Sequence, residues 1–236
     1  MNKLYFVIIL MFSQTMFSQV YKKSEPFTHT YSIVARDSVT GDIGVAVQSH
    51  WFSVGSVVTY GKAGVGVVAT QSLVNPSYGP KGLVLMEQGL SPQQALDALL
   101  ANDSGEMYRQ VAFLNTKGEV ATHTGSSCIA EAGHKQGKNF SVQANMMLNN
   151  TVWQAMANAF ETTKGTLSER MLAALKAAEG EKGDIRGKQS AAILIVKGEA
   201  TGNSWEDVIM DLRVEDNDNP VNELERLMKI HKAYDF

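Results

Sequence analysis

The sequence predicts an α+β fold built from two mainly antiparallel sheets, each covered on its outer side by helices. The first observation is order. Strand-like apolar runs and helical patterns come in blocks (strands over 30–72, helices from Tyr78, strands again from Tyr108, helices from Val152, strands from Ser190, a closing helix). Such blocks belong to antiparallel α+β proteins and not to alternating βαβ units. The second is composition. The strand segments are rich in Val, Ile, Ala and Gly, and small residues such as Gly44, Ala46, Gly64 and Gly66 invite a second layer to pack closely. No linker rich in Pro, Ser or Gly divides the chain, so residues 28–236 read as one domain.

Each element has its own signal. The N-terminal "MNKLYFVIILMFSQ" sets one Lys before the apolar run Leu4–Phe12. That run is too short for a membrane span, which needs about 20 apolar residues, and fits a secretory leader over residues 1–19 better than a buried helix. "TYSIVARD" alternates, with Tyr31, Ile33 and Ala35 on one face and Thr30, Ser32 and Val34 on the other. "SVTGD" turns the chain into "IGVAVQS", its hairpin partner. "GSVVTYGKAG" and "VGVVATQSLV" read as two further strands.

Helices follow over "YGPKGLVLMEQGL" and, more clearly, "SPQQALDALLAND", where Ser91 is an N-cap, Pro92 opens the first turn and Gln94 completes a capping box. "YRQVAFLNTKGEVATHTG" is a hairpin turning at 115–118, and "FSVQANMML" is another strand. Val152, Met156, Ala159 and Phe160 stripe one helix, and Leu167, Met171, Leu175 and Ala178 stripe the next. After the polar loop "GEKGDIRG" come the apolar strand "KQSAAILIV", the strand "VIMDLRVE" and the amphipathic "VNELERLMKIHKAY".

Composition excludes several function classes. A net charge of −3 with scattered Lys and Arg offers no basic stripe for nucleic acid. After the leader no stretch is long and apolar enough to hold the chain in a membrane, so a secreted or periplasmic protein is expected. The single cysteine, Cys128, allows no internal disulfide. It lies between His123 and His134, and reads as a small buried thiol more readily than as a nucleophile. No HExxH or CxxC spacing is present, and neither metal nor cofactor is expected.

The candidate site residues are hydroxyls and polar groups at strand ends. Thr30 and Ser32 share a strand face, about 7 Å apart. Thr30 is either a β-favouring residue at a strand edge or a nucleophile. A threonine hydroxyl needs a base, and the residue's own α-amine can serve only after the bond to His29 is cut. Thr70 and Ser72 end an apolar strand beside the turn "NPSYG", which suits a site and turn chemistry equally. Asn145 interrupts the apolar "VQANMML" and needs partners if buried. Its amide, or backbone N–H groups near Ser72 and Ser126, could donate to an oxyanion. Asp184 and Arg186 could form an ion pair at a sheet end or a solvated loop pair.

The segments "HTYSIVARDSVTGDIGVAVQSHWFSVGSVV", "AGVGVVATQSLVNPSYGPKGL", "ATHTGSSCIAEAGH", "QANMM", "GDIRGKQSAAILIV" and the tail "DLRVEDNDNPVNELERLMKIHKAY" occur in this order. Together they closely resemble the bacterial family known as domain of unknown function 1028, over essentially all of the chain from residue 28. The resemblance implies a four-layer αββα sandwich like that of the N-terminal nucleophile (Ntn) hydrolases. In those enzymes the first residue of the first core strand attacks an amide carbonyl with its own amine as base, and by position that residue is Thr30.

Proteasome-type members also use an Asp and a Lys after the second and third strands. Here Gln48-Ser49 stand at the first place, and Lys62 is a loose candidate for the second. Asp184 and Ser190 lie where such a site has an Asp and a Ser before a late strand. Some family members carry a segment described as peptidoglycan-binding, which makes cell-wall peptide or another extracellular amide the implied substrate.

Two functions follow as expectations. One is an exported amide hydrolase with Thr30 as nucleophile, and Ser32, Thr70, Ser72, Asn145, Asp184 and Arg186 around it. The other is a non-catalytic binding protein that uses the same cleft for peptide or peptidoglycan fragments. The partner in either case is a small-molecule or peptide amide, and a homodimer is expected from the habit of this fold.

Overall fold

A computed structural model describes residues 30–182 and 187–234. The expected leader and the Asp184–Arg186 pair lie outside the described residues. Among those residues, no helix is long and apolar enough to cross a membrane.

Two antiparallel sheets form the interior. One has six strands in the order β10-β9-β2-β1-β8-β7, comprising β1 (Thr30–Arg36), β2 (Ile43–Ser49), β7 (Gly133–Gly137), β8 (Phe140–Asn145), β9 (Ser190–Val196) and β10 (Val208–Val214). The other has four, in the order β3-β4-β5-β6, with β3 (Thr59–Lys62), β4 (Gly66–Ser72), β5 (Arg109–Asn115) and β6 (Val120–Thr124). Helices α2 (Tyr78–Glu87) and α3 (Pro92–Leu100) pack on the smaller sheet. Helices α4 (Val152–Thr162), α5 (Leu167–Gly180) and α6 (Pro220–Ala233) pack on the larger.

The alternation of each strand assigns its side chains to the resulting interfaces. Tyr31, Ile33 and Ala35 of β1 meet Met156, Phe160, Met171 and Leu175 under the helices. Val34 of the opposite face joins Val45, Val47, Val67 and Leu114 between the sheets. Val68, Val111 and Phe113 meet Leu83, Met86 and Leu96 on the far side. Three apolar interfaces between four layers make the αββα sandwich that the resemblance implied.

Local signals explain the helix starts. Ser91 and Gln94 form the expected capping box on α3, and Thr166 and Glu169 form another on α5. Helix α2 carries Gly79 and Gly82 against the smaller sheet, where a Cβ at either would overlap the ring of Tyr60 or of Phe113. These glycines set how closely that helix approaches.

One expectation is corrected and one strand is added. "GSVVTYGKAG" is not one strand: Gly55–Val58 form a single helical turn, α1, and only Thr59–Lys62 are extended. Ser53 takes a left-handed backbone (φ 55°), and Thr59 Oγ1 donates to Gly55 O at 2.7 Å, so the chain closes on itself before the strand begins. Gly55 also packs so tightly on Ala192 that a Cβ there would overlap it. Strand β7, "GHKQG", has no apolar alternation to announce it and exists by pairing with β8 at the sheet edge.

Candidate functional site

The site begins with register. Thr30 pairs with Ser49 on one side and Asn145 on the other, and Ser49 pairs with Ser190. Four polar residues therefore form one rung across β8, β1, β2 and β9. All four are buried, with Thr30 only 2% exposed. The face that holds Val34 also holds Thr30 and Ser32, so these hydroxyls point between the sheets as the alternation predicts. Thr30 Oγ1 lies 3.0 Å from Ser49 Oγ.

Behind this rung runs a buried network of amides whose orientation can be deduced. Gln110 Nε2 lies 2.9 Å from Ala144 O and 3.1 Å from Gly133 O, two main-chain carbonyls that only accept. Gln110 Oε1 must then accept, and it does so from Gln71 Nε2 at 2.7 Å and Asn145 Nδ2 at 3.0 Å. Both donors also reach Thr30 O, at 3.3 Å each. Gln71 Oε1 accepts from Ser32 Oγ at 2.5 Å, and Ser32 Oγ accepts from Gln143 Nε2 at 2.6 Å. Gln143 Oε1 accepts from Ser141 Oγ at 3.2 Å, which leaves Ser141 to accept from Thr122 Oγ1 at 2.9 Å. At the outer end, Thr124 Oγ1 joins Gln110 Nε2 (3.0 Å) to His134 Nδ1 (2.8 Å). Burial pushes the His134 pKa down, which favours the neutral ring.

This wiring reverses one expected role. Asn145 Nδ2 spends both hydrogens on Thr30 O and Gln110 Oε1, so its amide is not a spare oxyanion donor. Its open atom is Oδ1, buried and without a hydrogen-bond partner. The amides near Ser126 are committed as well: Gly125 N donates to Arg109 O, Ser127 N to Met107 O and Cys128 N to Gly125 O. Cys128 Sγ donates to Arg109 O at 3.3 Å, and burial pushes the thiol pKa up, so it is held as a thiol.

Thr30 and Ser49 open onto a cleft of about 270 Å³. One wall is Trp51, Val54, Val57 and Val58, and the other is Ser72, Leu73 and Val74. Each wall is fastened. Ser190 Oγ donates to Trp51 O and accepts from Val54 N (3.0 Å), which hooks the β2–β3 connection onto β9. Across the cleft, Ser72 turns the chain out of β4 with a left-handed backbone (φ 70°). Arg109 Nη1 then donates to Leu73 O at 2.5 Å while Arg109 Nε pairs with Asp103 at 2.9 Å. The guanidinium bonded to Asp103, helped by Gly105 N and Asn75 Nδ2, holds that carboxyl well below the usual range.

Of the residues expected at the site, Thr30, Ser32, Ser72 and Asn145 are brought to the same end of the interior. Ser32 is fully engaged by Gln71 and Gln143 one rung in. Thr70 faces the other way, on the side of Val68, and its Oγ1 donates to Asn75 O at 3.2 Å, so it shapes the turn. Lys62 sits at the opposite end of β4, opposite Gly66, in an exposed ion pair with Glu87. It is not near Thr30. Sequence reasoning gave no site role to Gln110, Gln143, Trp51 or Arg109. The available signal was a lone glutamine in each of the apolar strands β4, β5 and β8 (Gln71, Gln110 and Gln143), at the parity that faces the other sheet. No group of three His, Cys, Asp or Glu among the described residues is placed to hold a metal.

Comparison with known proteins gives the following. The family described as "Family of unknown function (DUF1028)" matches residues 30–224. A DUF1028 protein of Silicibacter pomeroyi, solved as a crystal structure, shares 32% identity, with 85% of this chain and 88% of that chain covered and a TM-score of 0.77. Anbu (ancestral beta-subunit) from Yersinia bercovieri shares 10% identity over 86% of this chain and 92% of that chain, with a TM-score of 0.40. No curated protein matches the chain.

Proposed function

The chain belongs to the DUF1028 family, and from that premise we propose that it is an exported amide hydrolase of the N-terminal nucleophile type. One observation carries this reading: Thr30 opens the central strand β1, with its hydroxyl between the sheets at the floor of the cleft. Residues 1–19 direct export, and a further cut after His29 makes Thr30 the first residue. Its α-amine then takes the Oγ1 proton as Oγ1 adds to the amide carbonyl. The proton passes to the leaving nitrogen, the C–N bond breaks, and an ester to Thr30 remains for water to hydrolyse. Ser49 orients Oγ1 at 3.0 Å. Asn145 Oδ1, beside Thr30 in register, accepts an N–H of the freed amine, which would satisfy its open lone pairs. The substrate is a peptide or other extracellular amide.

The test is the intact mass and N-terminal sequence of protein recovered from its native host. The expected chain begins at Thr30, and Thr30→Ala protein is expected to lack amidase activity. A chain that begins near Gln19 and stays so on incubation sinks the hydrolase. It would leave a non-catalytic binding protein for peptide or peptidoglycan fragments, the second reading of the same cleft.

A further inference from the structure

The cleft carries a preference of its own. Its two walls present Trp51, Val54, Val57, Val58, Leu73 and Val74. The polar groups, Thr30, Ser49, Gln71 and Ser72, are gathered where the strands end. Among the described lining residues Arg109 is the one that carries charge, and Asp103 neutralises it at 2.9 Å, with the two side chains 19% and 10% exposed. A charged side chain lying against these two walls would lose its hydration and, among the described wall residues, find no free counter-charge. The volume, about 270 Å³, is just under the range of roughly 300–1,000 Å³ typical of whole-ligand pockets. It suits one large side chain and the amide attached to it.

We propose that the site selects amides whose acyl group bears a large, uncharged apolar side chain, branched aliphatic or aromatic. This rests on the reading of Thr30 as nucleophile. The polar floor takes the scissile carbonyl, and the valine wall takes the adjoining side chain. The acyl group stays attached to Thr30 through both half-reactions, so a wall that holds it assists acylation and hydrolysis alike. Peptides dense in acidic or basic side chains fit this wall poorly.

The experiment offers the processed protein from its host a series of acetyl-amino-acid aminomethylcoumarin amides in which the residue is Leu, Phe, Val, Gly, Asp or Lys. Turnover is followed by fluorescence, and binding of the same amides is followed by calorimetry. The expected kcat/KM for Leu and Phe exceeds that for Asp and Lys at least tenfold. Val57→Asp, a half-buried wall position, is expected to shrink that ratio at least tenfold. Turnover that favours Asp, Lys or Gly overturns this inference and leaves the hydrolase standing. If no amide turns over but Leu and Phe bind selectively, the hydrolase fails and the apolar selectivity holds. Absence of both turnover and selective binding overturns the inference. The measurements on unaltered protein decide the matter even if the variant misfolds.

Discussion

Asn145 Nδ2 donates to Gln110 Oε1 at 3.0 Å, across the gap between the two sheets. The bond ties the six-stranded sheet to the four-stranded one at the end where Thr30 lies. A second tie, from Ser32 Oγ to Gln71 Oε1, stands beside it at 2.5 Å. Further polar ties run from Gln110 Nε2 to Ala144 O and Gly133 O, from Gln71 Nε2 to Thr30 O, between Thr122 and Ser141 and between Thr124 and His134. Away from this network the sheets touch through Val, Leu, Ile and Ala side chains.

Gln110→Met keeps the length of the side chain and removes its amide. Ala144 O and Gly133 O then lose a donor, and Gln71 and Asn145 lose an acceptor, all in a buried site. Unsatisfied buried groups cost about 1–3 kcal/mol each, partly relieved by rearrangement. A loss of about 3 kcal/mol in urea unfolding is expected. A loss under about 0.5 kcal/mol, the size of an ordinary surface change, would show that the network holds nothing together.

Acid should act through Asp103. Its folded-state pKa is depressed chiefly by the hydrogen bond from Arg109. A depressed carboxyl contributes stability above the unfolded value of about 3.9, and that contribution is lost as pH falls toward the folded value. Asp103→Asn is expected to be about 2 kcal/mol less stable at pH 7, the scale of a charged hydrogen bond. Its stability should also fall less steeply than that of the parent below pH 4 or so. Unfolding curves between neutral and strongly acid pH test both points, and parallel curves would contradict the assignment.

Gly82→Ala runs against helix propensity. In an open helix Gly→Ala gains about 1 kcal/mol. Here the added Cβ would meet the Phe113 ring under α2, and overpacking of this kind costs about 1–3 kcal/mol. Gly180, in the last turn of α5, has nothing within 4 Å of such a Cβ. Thermal melts should therefore move down for Gly82→Ala and up or not at all for Gly180→Ala.

The layers were legible because helical and strand periods keep to long blocks in this chain. The capping box at Ser91 and Gln94 was legible because it is local. The α1 turn was not, since beside its local bonds it is held by Val54 N donating to Ser190, far along the chain. Strand β7 was not, because its polar residues become extended only by pairing with β8. At the site the same division holds. Thr30, Ser32, Ser72 and Asn145 stand out as polar residues in apolar strands. The order β9-β2-β1-β8, which sets Ser49 and Asn145 on either side of Thr30, is a non-local fact that no single segment contains. Nor could spacing reveal that Asn145 offers an acceptor, because two backbone carbonyls facing Gln110 decide it.

Strands β2, β8 and β9 are buried on both faces along their whole length, and β1 along all but its last residue. In a half-exposed sheet, a strand displaced by one residue would turn its apolar side chains to water, and that penalty keeps strands aligned. Here there is no water on either side to impose it, and a displaced β1 would put Tyr31 and Ile33 in one greasy layer in place of another. What such an error would strand is Ser32 and Thr30, turned away from Gln71, Gln143 and Ser49, the partners that hold them now. The hydroxyls that are candidates for chemistry thus also tell the strand which way to face.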